Sequence, residues 1–416
     1  MDAEAFAKGL LFEVTFLLPC AILHPSHLRS HLPMETIATV KKTKLANKPT
    51  LALQVCSLLI LLLVVYKNFV DLPILDYLFG SSVLLLLIMT ILVLGRALTA
   101  HERIMLLIIL FLFWYSQLIS QKGQMLWYVE TAYPLLGFSL GMLLLHTKWN
   151  IWMVRLFCYL ALAPFLYGFF IKGIRLTSGS NFYAMNRNTI PKLLIMTSGL
   201  LIMIEHEKED SLHAPSWVLG SGYSLLIPLL TVIICFYSRS RAGLLISGAL
   251  FFMVIVRTLI THFPAMLTMM ATHRWRFLLV LAFITFVLGL GVLYAYSNSR
   301  LVANGLSSNG RKEIQLACIN ELTLSRVLIG YRPEILNGIG LHNTYLNLLV
   351  HFGLFSLLFV IFYIRSLYRF LRTSFMFTGL LVLWGVYSLV ESLSPFALGD
   401  LMILPLFMLS MKALDR

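Results

Sequence analysis

The sequence predicts an all-α polytopic membrane protein, on three observations: composition, the length of its apolar runs and the placement of its basic residues. Of 416 residues, 59% are hydrophobic and only 12% charged, with a mean hydropathy of +0.87. Such a chain has too little polar surface to enclose a soluble core. A hydrocarbon layer about 30 Å thick takes roughly 20 apolar residues per helical crossing. About twelve such segments follow residue 50, one per crossing.

In chain order the spans are expected near 51–67, 78–95, 104–120, 127–146, 149–171, 190–205, 217–236, 242–262, 277–296, 343–364, 375–393 and 396–411. This divides the chain into an N-terminal segment (1–50), a transmembrane helical region (51–296), one long loop (297–342) and the C-terminal transmembrane helices (343–416). Within the N-terminal segment, residues 7–23 form a short apolar stretch interrupted by Lys8 and Glu13. The run METIATVKKTKLANK at 34–48 has the character of a cytoplasmic start, with Met34 as an alternative initiator. Residues 1–33 are therefore expected to lie outside the functional unit, the alternative being an extra membrane-associated segment. Asp2 and Glu4 spoil the positive region that a signal peptide needs.

Orientation follows from the basic residues of the loops. With residue 50 on the cytoplasmic side, Arg29, Lys41, Lys42, Lys44, Lys48, Arg96, Arg103, Lys148, Arg155, Lys208, Arg274, Arg276, Arg365, Arg369, Arg372, Lys412 and Arg416 fall inside. There they suit anionic phospholipid headgroups. Most of the remaining basic residues lie in three outer places: residues 172–192, the turn with Arg239 and Arg241, and the loop 297–342. Exporting these charges runs against the usual bias, which points to an anionic ligand on the outer side. The net charge of +14 does not indicate nucleic acid. Basic runs interleaved with aromatics are confined to the loops, and a chain in lipid offers no groove to a duplex. Cys20, Cys56, Cys158, Cys235 and Cys318 make no framework, so neither a disulfide nor a metal cluster is expected.

In the long loop, Ile314, Cys318 and Leu322 recur every four residues, with Leu328 beyond. That period predicts an amphipathic helix resting on the membrane surface. Pro333, Gly338 and Gly340 then turn the chain into the next crossing.

Few residues are left to carry chemistry. Arg239 and Arg241, in YSRSRAGLL, sit at the outer mouth of a helix, and Arg311, in SSNGRKE, opens the loop helix. Guanidinium groups stay charged and bind phosphate through paired donors, so two or three can hold a pyrophosphate. The plainer alternative is arginines that snorkel to headgroups. His342 and Asn343 occupy the last polar step before the apolar run at 343–364. An imidazole titrates near neutral pH and can accept a proton; the plainer alternative is an interfacial or capping histidine. His351, nine positions on, falls on the opposite helix face and suits an interhelical hydrogen bond. The run EHEKED at 205–210 lacks metal-ligand spacing and is expected to be a solvated inner loop. Glu391 and Asp400 flank the last outer turn, ESLSPFALGD, where they orient an arginine or a sugar hydroxyl, or else mark an exposed turn.

Taken in order, S-R-A-G at a helix mouth, N-G-R opening a long outer loop, L-I-G-Y within it and L-H-N-T-Y-L at its exit resemble the O-antigen ligase and polymerase superfamily. N-R-N-T at 186–189 is similar to an upstream motif of some members. The likeness covers roughly residues 175–400. It implies an inverting, metal-independent glycosyltransferase without a cofactor, acting at the periplasmic face of a Gram-negative inner membrane. The implied donor is a glycan on undecaprenyl pyrophosphate. Carried over by position, Arg241 and Arg311 hold the donor pyrophosphate, and His342 activates or orients the acceptor hydroxyl. Asn343 and Glu391 join them as substrate-binding candidates. Arg239 departs from a single-arginine pattern and leaves open which of the two is used. In a ligase the acceptor is a lipid A–core sugar; in a polymerase it is a second undecaprenyl-linked repeat. The compact loop and the overall length favour the ligase. A lipid-linked glycan flippase, the rival without chemistry, needs ionisable residues along a central path, and beyond Arg257 and His351 the spans are nearly bare.

Overall fold

A computed structural model of the chain describes residues 48–69, 72–120, 124–176, 181–183, 185–209, 220–272, 311–331, 341–395 and 397–412. The expectations for residues 1–33, for the span 277–296 and for the loop segments 297–310 and 332–340 lie outside the described residues.

Apart from one two-residue hairpin, the described elements are helices. They are α1 (Lys48–Lys67), α2 (Pro73–Leu94), α3 (Ala100–Ser120), α4 (Gln124–His146) and α5 (Ile151–Leu166), which runs into a π-turn at Tyr167–Ile171. A hairpin of β1 (Asn181–Phe182) and β2 (Met185–Asn186) leads to α6 (Thr189–Glu209), α7 (Gly220–Tyr237) and α8 (Arg241–Thr272). Beyond residue 310 come α9 (Arg311–Asn320), α10 (Leu324–Ile329) and α11 (Thr344–Phe352), then a 3₁₀ turn (Gly353–Phe355), α12 (Ser356–Thr373), α13 (Phe375–Val390) and α14 (Asp400–Lys412). Six of the described helices are long and apolar enough to cross a membrane: Pro49–Lys67, Pro73–Leu94, Ile151–Ile171, Thr189–His206, Arg241–Thr258 and Thr344–Thr373. Leu225–Tyr237, Phe375–Val390 and Asp400–Met411 are shorter apolar helices. All-α membrane architecture thus agrees with the composition.

Several starts differ from the hydropathy estimate because capping chemistry outranks apolarity at helix ends. α2 begins at Pro73, five residues early, with Pro in the first turn and Asp76 accepted there because Lys67 reaches it at 2.8 Å. α3 begins at Ala100 behind a capping box. Thr99 N donates to Glu102 Oε2 at 2.6 Å and Glu102 N to Thr99 Oγ1 at 3.3 Å.

Side-chain ties sort the helix ends into two groups, and each tie joins segments that alternate crossings bring to one side. At one end lie Lys67–Asp76, the Phe69 ring on Phe165 and Phe182, and Lys192–Glu391. At the other, Gln54 donates to Thr147 Oγ1 and Lys148 O, Glu102 meets His146, and Arg155 meets Glu205. His206 also meets Ser374 there, and Arg369 donates to the Ser410 carbonyl. The Arg155 pair corrects two expectations. Arg155 is not a loop charge but 5% exposed, and Glu205 is not in a solvated loop but 4% exposed in the last turns of α6. Their pairing, with Nε at 3.1 Å and Nη2 at 2.8 Å from one carboxylate oxygen, is what makes burial of both tolerable.

Small residues set the closest packing. α4 carries Gly137 and Gly141 four residues apart, and they meet the Asp400 backbone and the Met408 and Pro405 side of α14 with no room for a methyl group. This small-residue spacing lets two backbones approach.

The span expected at 343–364 lies within Thr344–Thr373 but is interrupted by the 3₁₀ turn at Gly353–Phe355. Gly353 has φ 54°, and a Cβ there would sit 2.5 Å from both Gly330 N and Leu328 O. Tyr331 N donates to Val350 O at 2.8 Å, and Tyr115 OH to Ile329 O at 2.5 Å. The loop therefore returns alongside α11, its backbone groups satisfied by neighbouring protein. The loop helix is also two helices, not one, and the face predicted to lie on lipid is used otherwise. Ile314 and Cys318 pack with Leu341, Leu346, Val350 and Tyr331, while Leu316, Ile319, Leu324, Leu328 and Ile329 are the exposed apolar residues, so of the predicted face Leu328 alone stays uncovered. Periodicity locates an apolar face; it does not say whether lipid or protein covers it.

Candidate functional site

The site lies at the helix end that gathers 167–176, 181–183, 185–192, 237–241 and 341–344 with 389–395 and 397–400, and an aromatic base positions its parts. Phe182, fully buried on the hairpin, stacks on Phe165 at 5.5 Å and tilts on Phe169 at 4.6 Å; Phe169 in turn stacks on Tyr237 at 5.8 Å. Gly168 in the π-turn leaves the space that the Phe182 ring takes. One cluster thus anchors both the hairpin that leads into N-R-N-T and the helix end that leads into S-R-S-R. Asn186 Oδ1 accepts from Asn188 N at 2.9 Å, an Asx turn that starts α6.

Arg239 is exposed, with φ 55°, in the turn between α7 and α8, and Arg241 is the half-buried first residue of α8. Ser240 caps that helix, its Oγ accepting from Gly243 N at 3.3 Å. Gly243 presses on Pro191, where a Cβ would collide. The arginine turn is therefore packed against the residue next to Lys192.

Lys192 Nζ lies 2.9 Å from Glu391 Oε2, and His342 Nδ1 lies 3.5 Å from the same oxygen. Glu391 is 1% exposed, so the exposed-turn alternative is wrong for it, as it is for Asp400, which is 3% exposed. Asp400 is held by Ser394 Oγ and by Ala397 N at 2.9 Å. His342 is 28% exposed at its side chain and has φ 49°. That left-handed conformation is uncommon for a residue with a side chain and tends to persist where surrounding contacts enforce it.

Those contacts come from the residues that follow. Asn343 Oδ1 caps α11 by accepting from Leu346 N at 3.0 Å, while its Nδ2 donates to Leu389 O at 3.3 Å. Thr344 Oγ1, fully buried, donates to Glu391 O at 2.8 Å and accepts from Leu393 N at 2.8 Å. Asn347 Nδ2 donates to Ser394 O at 3.3 Å. The run H-N-T-Y-L-N thereby clamps the backbone of 389–394, and with it Glu391, to the base of His342. Asn343 is thus engaged with protein as a helix cap and clamp. On the other side, Gln315 Nε2 donates to Leu341 O at 3.3 Å, so α9, which Arg311 begins, reaches the residue just before His342. The side-chain role expected of Arg311 lies outside the described residues. Cys318 and Tyr331 hydrogen-bond at 3.2 Å beneath this junction. Burial raises both the Tyr331 phenol and the Cys318 thiol above their ordinary ranges, which keeps them neutral structural groups. Ser388, in the last turn of α13, and Ser392, just beyond that helix, hold buried hydroxyls without a hydrogen-bond partner among the described residues. That capacity suits an ordered water or a sugar hydroxyl.

The arrangement offers a histidine ring whose Nδ1 faces a buried carboxylate oxygen at 3.5 Å, with Nε2 at its far edge and cationic side chains on the adjoining turns. It is suited to accept a proton from a hydroxyl next to a bound anion. Comparison with protein-family models finds no match for this chain, and comparison with curated proteins finds none either. Sequence reasoning reached His342, Asn343, Glu391 and the arginine turn but passed over Lys192, Thr344, Asn347 and Gln315. Lys192 had a signal: it is a basic residue inside the first turns of an apolar helix, among the exported charges. Thr344 and Asn347 had none, since their partners are backbone groups more than 40 residues away.

Proposed function

We propose that this chain is a twelve-span glycosyltransferase of the bacterial inner membrane, acting at the periplasmic face as an O-antigen ligase. It takes a polysaccharide from undecaprenyl pyrophosphate and joins it to a sugar of lipid A–core. The observation that carries this reading is the His342–Glu391–Lys192 cluster, with the Arg239–Arg241 turn packed beside Lys192. Of the motifs that suggest the superfamily, S-R-A-G packs on the start of the helix that follows N-R-N-T, and L-H-N-T-Y-L carries His342, with about 160 residues of sequence between the first and the last.

In this mechanism Arg241 and Arg311 hold the two phosphates, with Arg239 as a further contact. Negative charge develops on the leaving pyrophosphate, and fixed guanidinium groups stabilise it where water is partly excluded. The acceptor oxygen attacks the anomeric carbon as the carbon–oxygen bond to phosphate breaks, inverting the centre. Its proton passes to His342 Nε2, and the resulting imidazolium faces the Glu391 carboxylate. General-base help of this kind contributes about 10²–10⁴-fold. Holding two lipid-linked substrates in one membrane plane lowers the entropy cost of encounter. Residues 172–192, 239–241 and 297–342 carry the positive charge that this donor requires.

The test is reconstitution of the purified chain in vesicles with undecaprenyl-linked glycan, with and without lipid A–core. Release of undecaprenyl pyrophosphate that depends on lipid A–core supports the ligase. Release with the lipid-linked glycan alone, accompanied by longer polymer, makes it a polymerase. Glycan crossing the bilayer with no release makes it a flippase and ends the proposal.

A further inference from the structure

We propose that Lys192 is a positioning residue that acts on His342 through Glu391, an inference that rests on the general-base role given to His342. A carboxylate 1% exposed at the edge of a membrane protein favours its neutral form unless a cation compensates it. Lys192 is that cation, at 2.9 Å, and its side chain is itself only 17% exposed. The same ammonium donates a hydrogen bond to Ser392 O at 3.4 Å, which keeps it beside the carboxylate. His342 reaches the same oxygen from 3.5 Å. One oxygen therefore faces two nitrogen groups, and the ammonium is the nearer.

The consequence is a division of labour. With Lys192 in place, Glu391 is an anion whose charge is already balanced. It aligns Nδ1 without drawing a proton onto the imidazole, so Nε2 stays free for the acceptor hydroxyl. Without Lys192, the carboxylate is balanced best by a proton on His342, and the base is occupied before substrate arrives. The other charged groups near the cluster come from separate elements. Arg239 and Arg241 belong to the turn packed on Pro191, Arg187 precedes α6, and Asp400 is bound by Ser394 and Ala397. From α9 the neutral Gln315 contacts Leu341, and Thr344 and Asn343 from α11 are neutral clamps.

The test is the pH dependence of transfer by the full-length chain in vesicles, measured on Lys192→Met, Lys192→Arg, Glu391→Gln and the Lys192→Met/Glu391→Gln pair. Lys192→Met should move the acidic limb of kcat/KM upward by about one pH unit, and Lys192→Arg should restore it. The shift should vanish in the Glu391→Gln background. Loss of rate with an unmoved limb makes Lys192 a structural or donor-binding residue and overturns the proposal. A limb that moves equally with and without the Glu391 carboxylate removes Glu391 from the path and also overturns it. His342→Ala separates the two levels: if it transfers at the wild-type rate, the base assignment itself fails, whatever Lys192 does. Detergent-solubilised variants that retain the wild-type unfolding midpoint establish that these effects are not misfolding.

Discussion

Replacing Thr344 by Val keeps the shape of a fully buried side chain and removes one donor and one acceptor at once. The hydroxyl lost is the one that donates to Glu391 O and accepts from Leu393 N, both at 2.8 Å. Each backbone group left buried and unpaired costs about 1–3 kcal/mol. With partial relaxation of 391–393 the pair comes to roughly 2–4 kcal/mol. Thr344→Ser, which keeps the hydroxyl and loses only a methyl group, should stay within about 1.5 kcal/mol of wild type. Denaturant titration of the purified protein in mild detergent reads this difference. The functional effect follows from the same geometry, because Thr344 ties the backbone of Glu391 to the residue two positions after His342. A shift of about 1 Å in a catalytic group costs roughly 10²-fold in rate, so Thr344→Val should lose turnover far more than donor affinity. If Thr344→Val matches Thr344→Ser in both midpoint and transfer rate, the clamp does not hold the site and the reasoning from it is wrong.

Three further outcomes follow from the structure and the sequence. Glu205→Leu leaves the Arg155 guanidinium buried without its carboxylate and should destabilise the chain by about 3–5 kcal/mol, whereas Arg155→Leu with Glu205→Leu should cost less than the sum of the singles; equal additivity in unfolding titrations would show that the pair is not coupled. Arg311→Lys keeps charge but loses paired donors and should weaken donor binding, while His342→Ala should bind donor and fail in transfer; binding and product formation on the same purified variants decide it, and a His342 variant that loses donor binding as severely would shift the base role elsewhere. A reporter fused after residue 310 should be periplasmic and one after residue 370 cytoplasmic, and finding both on one side would undo the orientation.

Much of the architecture was legible in the chain because hydrophobicity is a local property. A run of about 20 apolar residues identifies a membrane-length helix whatever packs around it, and the described spans lie where such runs occur. His342 and Asn343 were legible for the same reason, being polar residues placed just before an apolar helix. Tertiary structure alone decided what was non-local. Arg155 and Glu205 read as inner-loop charges until α5 and α6 brought them to 2.8 Å. The Ile314 and Cys318 face read as a lipid contact until Leu341 and Val350 covered it. Gly353 read as the interior of one span until Gly330 came against it and broke the helix. Glu391 could be nominated from its position beside the last turn, but not its partners, since Lys192 is some 200 residues away and Thr344 holds it through a carbonyl that every residue possesses. Hydrogen bonds to backbone groups leave no mark in sequence, and an ion pair shows only two charges, each of which looks solvated until the fold removes the water.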